Sequence, residues 1–249
     1  MTDRMTLNYN AIELRKKFGE DENSYIDVFN LISNCENTTL LFYPMSSGIS
    51  GMCIKDSGNM VIAVNSTLSR GRQRFTIAHE LCHLYYHDSD SCYVCGYKNN
   101  STGAKEKEAD MFASYFLAPY NAFKSYVDNL AKESSQIGLQ EIIKCEQRFG
   151  LSHLATLCRL RQEGYIKAEE FEKYQAISPA PIARAMGYNS ELYAPISEEQ
   201  RKYTTGKYIK LANDLNEKEL VSTSKYEELL LEAFRADLVF GEGGDGDID

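Results

Sequence analysis

Arg72-Gln-Arg-Phe-Thr-Ile-Ala-His79-Glu80-Leu-Cys-His83 is the stretch on which the reading of the chain turns, because two histidines stand four residues apart with a glutamate directly after the first. On an α-helix each residue advances about 100° and about 1.5 Å. His79 and His83 therefore leave one face, and their imidazoles can converge on a single cation. Glu80 is offset by one position, where its carboxylate can reach a water at that cation without competing for the cation itself, as a general base must. Phe75, Ile77, Ala78, Leu81, Cys82, Leu84 and Tyr85 supply a broad apolar surface, so the helix reads as a buried platform starting near Arg70. The bland alternative is two unrelated buried histidines. It is weakened by the concentration of three of the chain's four histidines in this one helix.

A hydrolytic zinc site needs three protein ligands and one position left for water. His87 stands two turns beyond His79, roughly 12 Å along the axis, and cannot share the ion. The longer metzincin pattern would need Gly at 86 and His at 89, where this chain has Tyr86 and Ser89. The next acidic cluster on a predicted helix is Lys105-Glu106-Lys-Glu108-Ala-Asp110. With Ala109, Phe112, Ala113, Phe116 and Leu117 as the buried stripe, Glu106 lies about 60° from its centre and Glu108 about 100°. Glu106 is the better inward candidate, with Glu108 and His153 as rivals. Asp110, one turn on, could accept a hydrogen bond from the second nitrogen of a ligand histidine and fix its tautomer. The ordinary reading of these carboxylates, a solvated face beside Lys105 and Lys107, is preferred for Glu108.

RQRFTIAHELCHLYYH at 72–87, EKEADMFASYFLAP at 106–119 and FGLSHLATLCRLRQEGYI at 149–166 together resemble the ImmA/IrrE family of metallopeptidases. The resemblance covers roughly residues 20–166. It implies His79 and His83 as metal ligands, Glu80 as general base, and Glu106, four residues before Asp110, as third ligand. It also implies a bacterial, intracellular role: members cut helix-turn-helix repressors encoded beside them on mobile elements or in stress responses, which relieves repression. Cys82 departs from the family, which usually has Gly there, and leaves open a redox sensitivity near the metal.

The chemistry of the site calls for Zn2+, with Mn2+ as the alternative. Tyr85, Tyr115 and Arg74 are chemically able to stabilise an oxyanion, but position alone does not choose among them.

Composition fits a regulator inside the cell. A length of 249 residues with 43% hydrophobic content allows a sizeable core. No basic start followed by an apolar run marks a leader, and no apolar stretch approaches about 18 residues, so a cytoplasmic protein is expected. A net charge of −9 argues against a broad grip on nucleic acid and suits a partner with basic surface, such as a DNA-binding repressor. Seven cysteines show no disulfide framework. Cys92-Tyr-Val-Cys95 is a lone CxxC, a weak signal read as two thiols in a loop near the site.

Helices are expected at 8–18 and 22–34, then strands at 38–44, 51–55 and 60–64 forming a small antiparallel sheet, an α+β zincin-like core extending to residue 119. A strand beside the cleft could receive an extended peptide as an added strand. Residues 120–176 read as a helical subdomain. Its helices at 138–149 and 153–163, joined at Gly150, resemble a helix-turn-helix, with Leu154, Leu157, Cys158 and Leu160 inward and His153 and Arg159 free to face DNA or a partner. That defines the competing function: a DNA- or protein-binding regulator whose metal site is structural or non-catalytic. Residues 177–240 form a C-terminal extension. Its first part, 177–195, holds three of the five prolines and reads as irregular, and helices are expected at 197–214 and 223–238. Residues 241–249, acidic and glycine-rich, read as a disordered tail.

Overall fold

A computed structural model describes residues 2–87, 93–96, 103–134, 136–198 and 200–241; Cys92 and nearly all of the acidic tail lie outside them. In chain order the elements are α1 (Arg4–Lys17), α2 (Val28–Ser33), β1 (Thr38–Tyr43), β2 (Ile49–Asp56), β3 (Asn59–Asn65), α3 (Arg70–Tyr86), β4 (Tyr93–Gly96) and α4 (Ala104–Leu117). They continue with α5 (Tyr120–Ser134), α6 (Leu139–Phe149), α7 (His153–Gln162), α8 (Ala168–Gln175), α9 (Pro179–Ala185), β5 (Tyr203–Gly206), α10 (Lys207–Glu217), α11 (Thr223–Glu232) and α12 (Ala236–Phe240). The fold is α+β and zincin-like, with helices dominating after α4.

The sheet is mixed and five-stranded among the described residues, in the order β4-β2-β3-β1-β5, rather than antiparallel throughout. β2 and β3 form a tight hairpin. Ser57 and Gly58 both take positive φ in its two-residue turn, the backbone that matches strand twist. β1 pairs with β3 in parallel, so the link from β1 to β2 must cross the end of β3. Asn65, at that end, holds the crossing. Its Nδ2 donates to the carbonyls of Met45 and Ile49, and its Oδ1 accepts from the Met45 N–H. Pairing each strand with the next in sequence misses this, because the staple is a side chain and leaves no trace in the hydrophobic pattern.

Alternation places Leu40, Phe42, Cys53, Ile62 and Val64 on the covered face of the sheet. α3 packs against β2 and β3 on one side and against α4 on the other. The approach is close because residue 51 is glycine: a Cβ there would lie 2.5 Å from Thr76 Cγ2 and 2.8 Å from the Ala63 carbonyl oxygen. One hydrophobic cluster runs from Leu7 through Phe123, Phe149 and Leu157 to Phe171, so the helices after residue 120 share the core of α3.

Buried arginines lock those helices in place. Arg74 on α3 donates to the carbonyls of Gly150 and Ile26 and to the Tyr25 hydroxyl. Arg159 on α7 donates to Ser114 Oγ, the Ala118 carbonyl and Glu163, and lies over the Tyr115 ring. α7 therefore does not offer Arg159 to DNA. The expected inward set of this helix also changes: Leu157 and Leu160 are buried, whereas Leu154 and Cys158 are exposed.

The N-terminal helices shift for local reasons. Asp3 caps α1 through the N–H groups of Met5 and Thr6, so that helix starts earlier than its apolar pattern indicates. Residues 21–24 form a turn around the Asp21 carboxylate. The carbonyls of Asp21 and Ser24 are taken by the buried Arg15 guanidinium, which leaves α2 to begin only after its cap Asp27.

Further along, 177–195 is not irregular throughout, because Pro179 and Pro181 occupy the first turn of α9, where a missing N–H costs nothing. The helix expected from 197 starts at 207. The residues just before it form β5, which pairs antiparallel with β1. The last helix is broken at Phe234, where φ is +58°, into α11 and α12. Leu230 and Ala233 are buried with Ile209 and Ala212 in a separate small cluster, while Phe234 and Leu238 are exposed. No helix of the described residues is long and apolar enough to cross a membrane.

Candidate metal centre

α3 is buried along nearly its whole length, with His79, Glu80 and His83 all enclosed. This follows from its place between sheet and α4. α4 runs alongside and turns Glu106 and Asp110, one turn apart, toward the histidines. His79 Nε2 lies 3.3 Å from Glu106 Oε2, His83 Nε2 lies 3.3 Å from Glu106 Oε1, and the two Nε2 atoms are 3.1 Å apart. Ligand bonds of about 2.0 Å in a tetrahedron give donor separations of about 3.3 Å. The triangle has the size such an ion requires.

The outer partners fix which ring atoms are bare. His79 Nδ1 is 2.8 Å from Asp110 Oδ1, and an ionised carboxylate only accepts, so the proton of the neutral ring sits on Nδ1 and the lone pair on Nε2. His83 Nδ1 is 2.8 Å from His87 Nδ1, and His87 Nε2 in turn faces Glu108 Oε2 at 3.7 Å. Donation along that line also leaves the lone pair of His83 on Nε2. Two imidazole lone pairs and a carboxylate then meet at a point, an arrangement that repels itself unless a cation or a shared proton lies among them.

The electrostatics say the same. Burial by itself would lower His79, yet its hydrogen bonds to Asp110 and Glu106 raise it to about 10. Glu106 is held well below the usual carboxylate range by its bonds to His79 and His83. His79, His83 and Glu106 thus fit a divalent cation.

Glu80 faces the sheet side of the same space. Neither of its oxygens accepts a hydrogen bond from an N–H or O–H group, and the thiols of Cys53 on β2 and Cys95 on β4 are turned toward it. Burial raises its pKa, while the nearby His79 pulls the other way. A buried carboxylate with no committed partner is chemically available to take and return a proton.

The rivals for the third ligand are engaged elsewhere. Glu108 accepts from the Thr2 backbone N–H at 2.7 Å. His153 is bound to Glu146 at 2.6 Å and to the Tyr174 carbonyl at 2.9 Å. Arg74 and Tyr115, considered as oxyanion donors, belong to the packing described above, and Tyr85 stacks edge-on against Phe18. Cys82 is buried and pushed up to about 12, by burial first and then by Glu108 and Glu106. As an inert protonated thiol it packs; it is not one of the converging donors.

Two residues enter that sequence reasoning set aside. His87, too far to share an ion with His79, instead backs His83. Cys95, dismissed as half of a weak CxxC, brings its Sγ into the cluster: its sulfur and one donor atom each of His79, His83 and Glu106 all lie within 4.8 Å of one another. The available signal was the position of the CxxC, between the two helices that carry the other converging donors.

The family model described as the IrrE N-terminal-like domain, of the M78 peptidases, matches residues 36–161, about half of the chain, including every one of these site residues. No curated protein matches the chain.

Proposed function

Given that the chain belongs to the IrrE N-terminal-like family of M78 metallopeptidases, we propose that it is a zinc-dependent endopeptidase that cleaves a helix-turn-helix transcriptional repressor and so relieves repression. The observation that carries the hydrolytic part is the convergence of His79, His83 and Glu106 beside a fully buried carboxylate, Glu80, with no committed partner. A divalent cation held by that triangle would supply Lewis acidity and a lowered water pKa. Glu80 removes the proton of the attacking water and hands it to the leaving amine. Asp110 and His87 hold the two histidines in the tautomers that expose Nε2.

Three features support a protein substrate of this kind. β4 is an edge strand whose outer side has no strand partner among the described residues, and an extended segment can add there through its backbone. The net charge of −9 favours encounter with a basic partner. The resemblance to ImmA/IrrE proteins adds the repressor as the partner. The competing role, nucleic-acid reading through α6 and α7, loses its two named contact residues, since Arg159 and His153 are spent on internal bonds.

The test is to incubate the zinc-loaded chain with purified helix-turn-helix repressors, beginning with any encoded beside it, and to identify fragments by mass spectrometry. The wild type is expected to cut at a defined bond. Glu80→Gln should keep its metal and lose about 10²–10⁴-fold in rate, the usual worth of a general base. Undiminished cleavage by Glu80→Gln with full metal content would remove Glu80 from this role, and an intact repressor after exposure to the loaded wild type would remove the substrate.

A further inference from the structure

β4 is four residues long, stands at the edge of the sheet and is paired to β2 alone. In that pairing Cys95 is opposite Gly51, the glycine against which α3 presses, so the strand delivers its thiol to the metal helix. The thiol is 4% exposed and its sulfur lies within 4.8 Å of the donor atoms of His79, His83 and Glu106. Glu80, buried and faced by the thiols of Cys53 and Cys95, is aimed into the same space. Three donors already suffice for a hydrolytic centre; the fourth needs a separate explanation.

We propose that Cys95 is a fourth, displaceable ligand, so that the chain holds its metal at rest in a closed His79, His83, Glu106, Cys95 set. The inference rests on the metal-centre reading above and goes beyond it. Thiolate is among the strongest ligands for zinc, and a site with four protein donors has no position left for water, which is the arrangement of structural centres. Ligation requires that the S–H bond break. Its proton has a receiver in contact, the Glu80 carboxylate, while the sulfur lone pair forms the new bond to the cation. Opening is the reverse step: the thiolate leaves, takes the proton back from Glu80, and water occupies the vacated place. No electrons change hands. Cys53, which also faces Glu80, is not one of the converging donors and serves as the control.

Cobalt tests this without any peptidase assay. Apoprotein titrated with Co2+ should take up one ion per chain and develop an intense thiolate-to-cobalt band in the near ultraviolet. Cys95→Ser should still bind Co2+ and lose that band; Cys53→Ser should keep it. Uptake of Co2+ with no thiolate band, or a band that survives in Cys95→Ser, overturns the proposal while leaving the three-ligand centre standing. Failure to bind Co2+ at all overturns both.

Discussion

Two histidines of this protein, each largely enclosed and paired with a carboxylate, have opposite fates. His79 meets Asp110 at 2.8 Å; His153 meets Glu146 at 2.6 Å. His153 spends its second nitrogen on the Tyr174 carbonyl, and Glu146 spends its second oxygen on the Tyr193 hydroxyl. Both ring nitrogens then face acceptors, so both carry protons and the ring is a cation in a closed circuit that joins α6, α7, α8 and the 191–193 turn. His79 turns its second nitrogen to Glu106 Oε2 at 3.3 Å and to His83 Nε2 at 3.1 Å, so a proton held there can be exchanged for a cation that several donors share. A histidine–carboxylate pair becomes a binding site where further donors converge on the second ring nitrogen and a cation can take the place of its proton.

Breaking each couple should therefore produce different losses. Glu106→Gln is expected to weaken metal affinity by more than the roughly 10–100-fold that outer partners command, read by equilibrium dialysis, with little change in folding of the apoprotein. Glu146→Gln should leave metal binding intact. It removes one partner of a buried ion pair, at a cost of about 3–5 kcal/mol, which for a chain of this size lowers Tm by roughly 6–20 °C at about 2–4 °C per kcal/mol. Glu108→Gln separates the carboxylates of α4 from one another: retained metal there, with metal lost in Glu106→Gln, is the expected pattern, and the reverse would move the third ligand to Glu108.

The two outer partners of the metal histidines sharpen the comparison at smaller scale. Asp110→Asn and His87→Phe should each lower metal affinity by about 10–100-fold, because each releases one ligand ring from its tautomer and orientation. Asp110 is the more exposed of the metal-side carboxylates, with 58% of its side chain accessible against 20% for Glu106. If Asp110→Asn bound metal as the wild type does, its contact with His79 would be no more than a solvated ion pair.

The legible part of this site was whatever the helical period controls. His79, Glu80 and His83 follow from spacing on one helix, and Glu106 with Asp110 from the angle each makes to the stripe of α4. Cys95 was hidden because its position depends on the register of β4 against β2, a long-range pairing with no local signature. His87 was hidden for another reason: the rise per residue excludes it as a ligand to the same ion, but says nothing about a nitrogen-to-nitrogen contact one turn away. In the fold, the hairpin of β2 and β3 could be read from Asp56-Ser-Gly-Asn. The parallel pairing of β1 with β3 could not, since Asn65 enforces it through side-chain bonds to a loop. β5 escaped notice because four residues directly before a helix were absorbed into the helical pattern.

The pH dependence of the two couples should run in opposite directions. His153 has its pKa raised above the ordinary 6.5: burial opposes this, but the bond to Glu146 prevails. A raised folded-state pKa means that its pairing contributes fully below about pH 6.5 and is lost as pH climbs through the folded value. The stability difference between wild type and His153→Gln, measured by denaturant unfolding of the apoprotein, should therefore shrink as pH rises. Metal affinity should rise over the same interval. His79 without metal is raised to about 10 by Asp110 and Glu106 against its burial, so a cation must displace that proton, and the displacement is easier with each step in pH. The expected slope is about one decade of affinity per pH unit from this group. A metal affinity flat between about pH 6 and pH 9 would mean that His79 carries no proton to displace, and the contrast between the open couple and the closed one would fail at the open one.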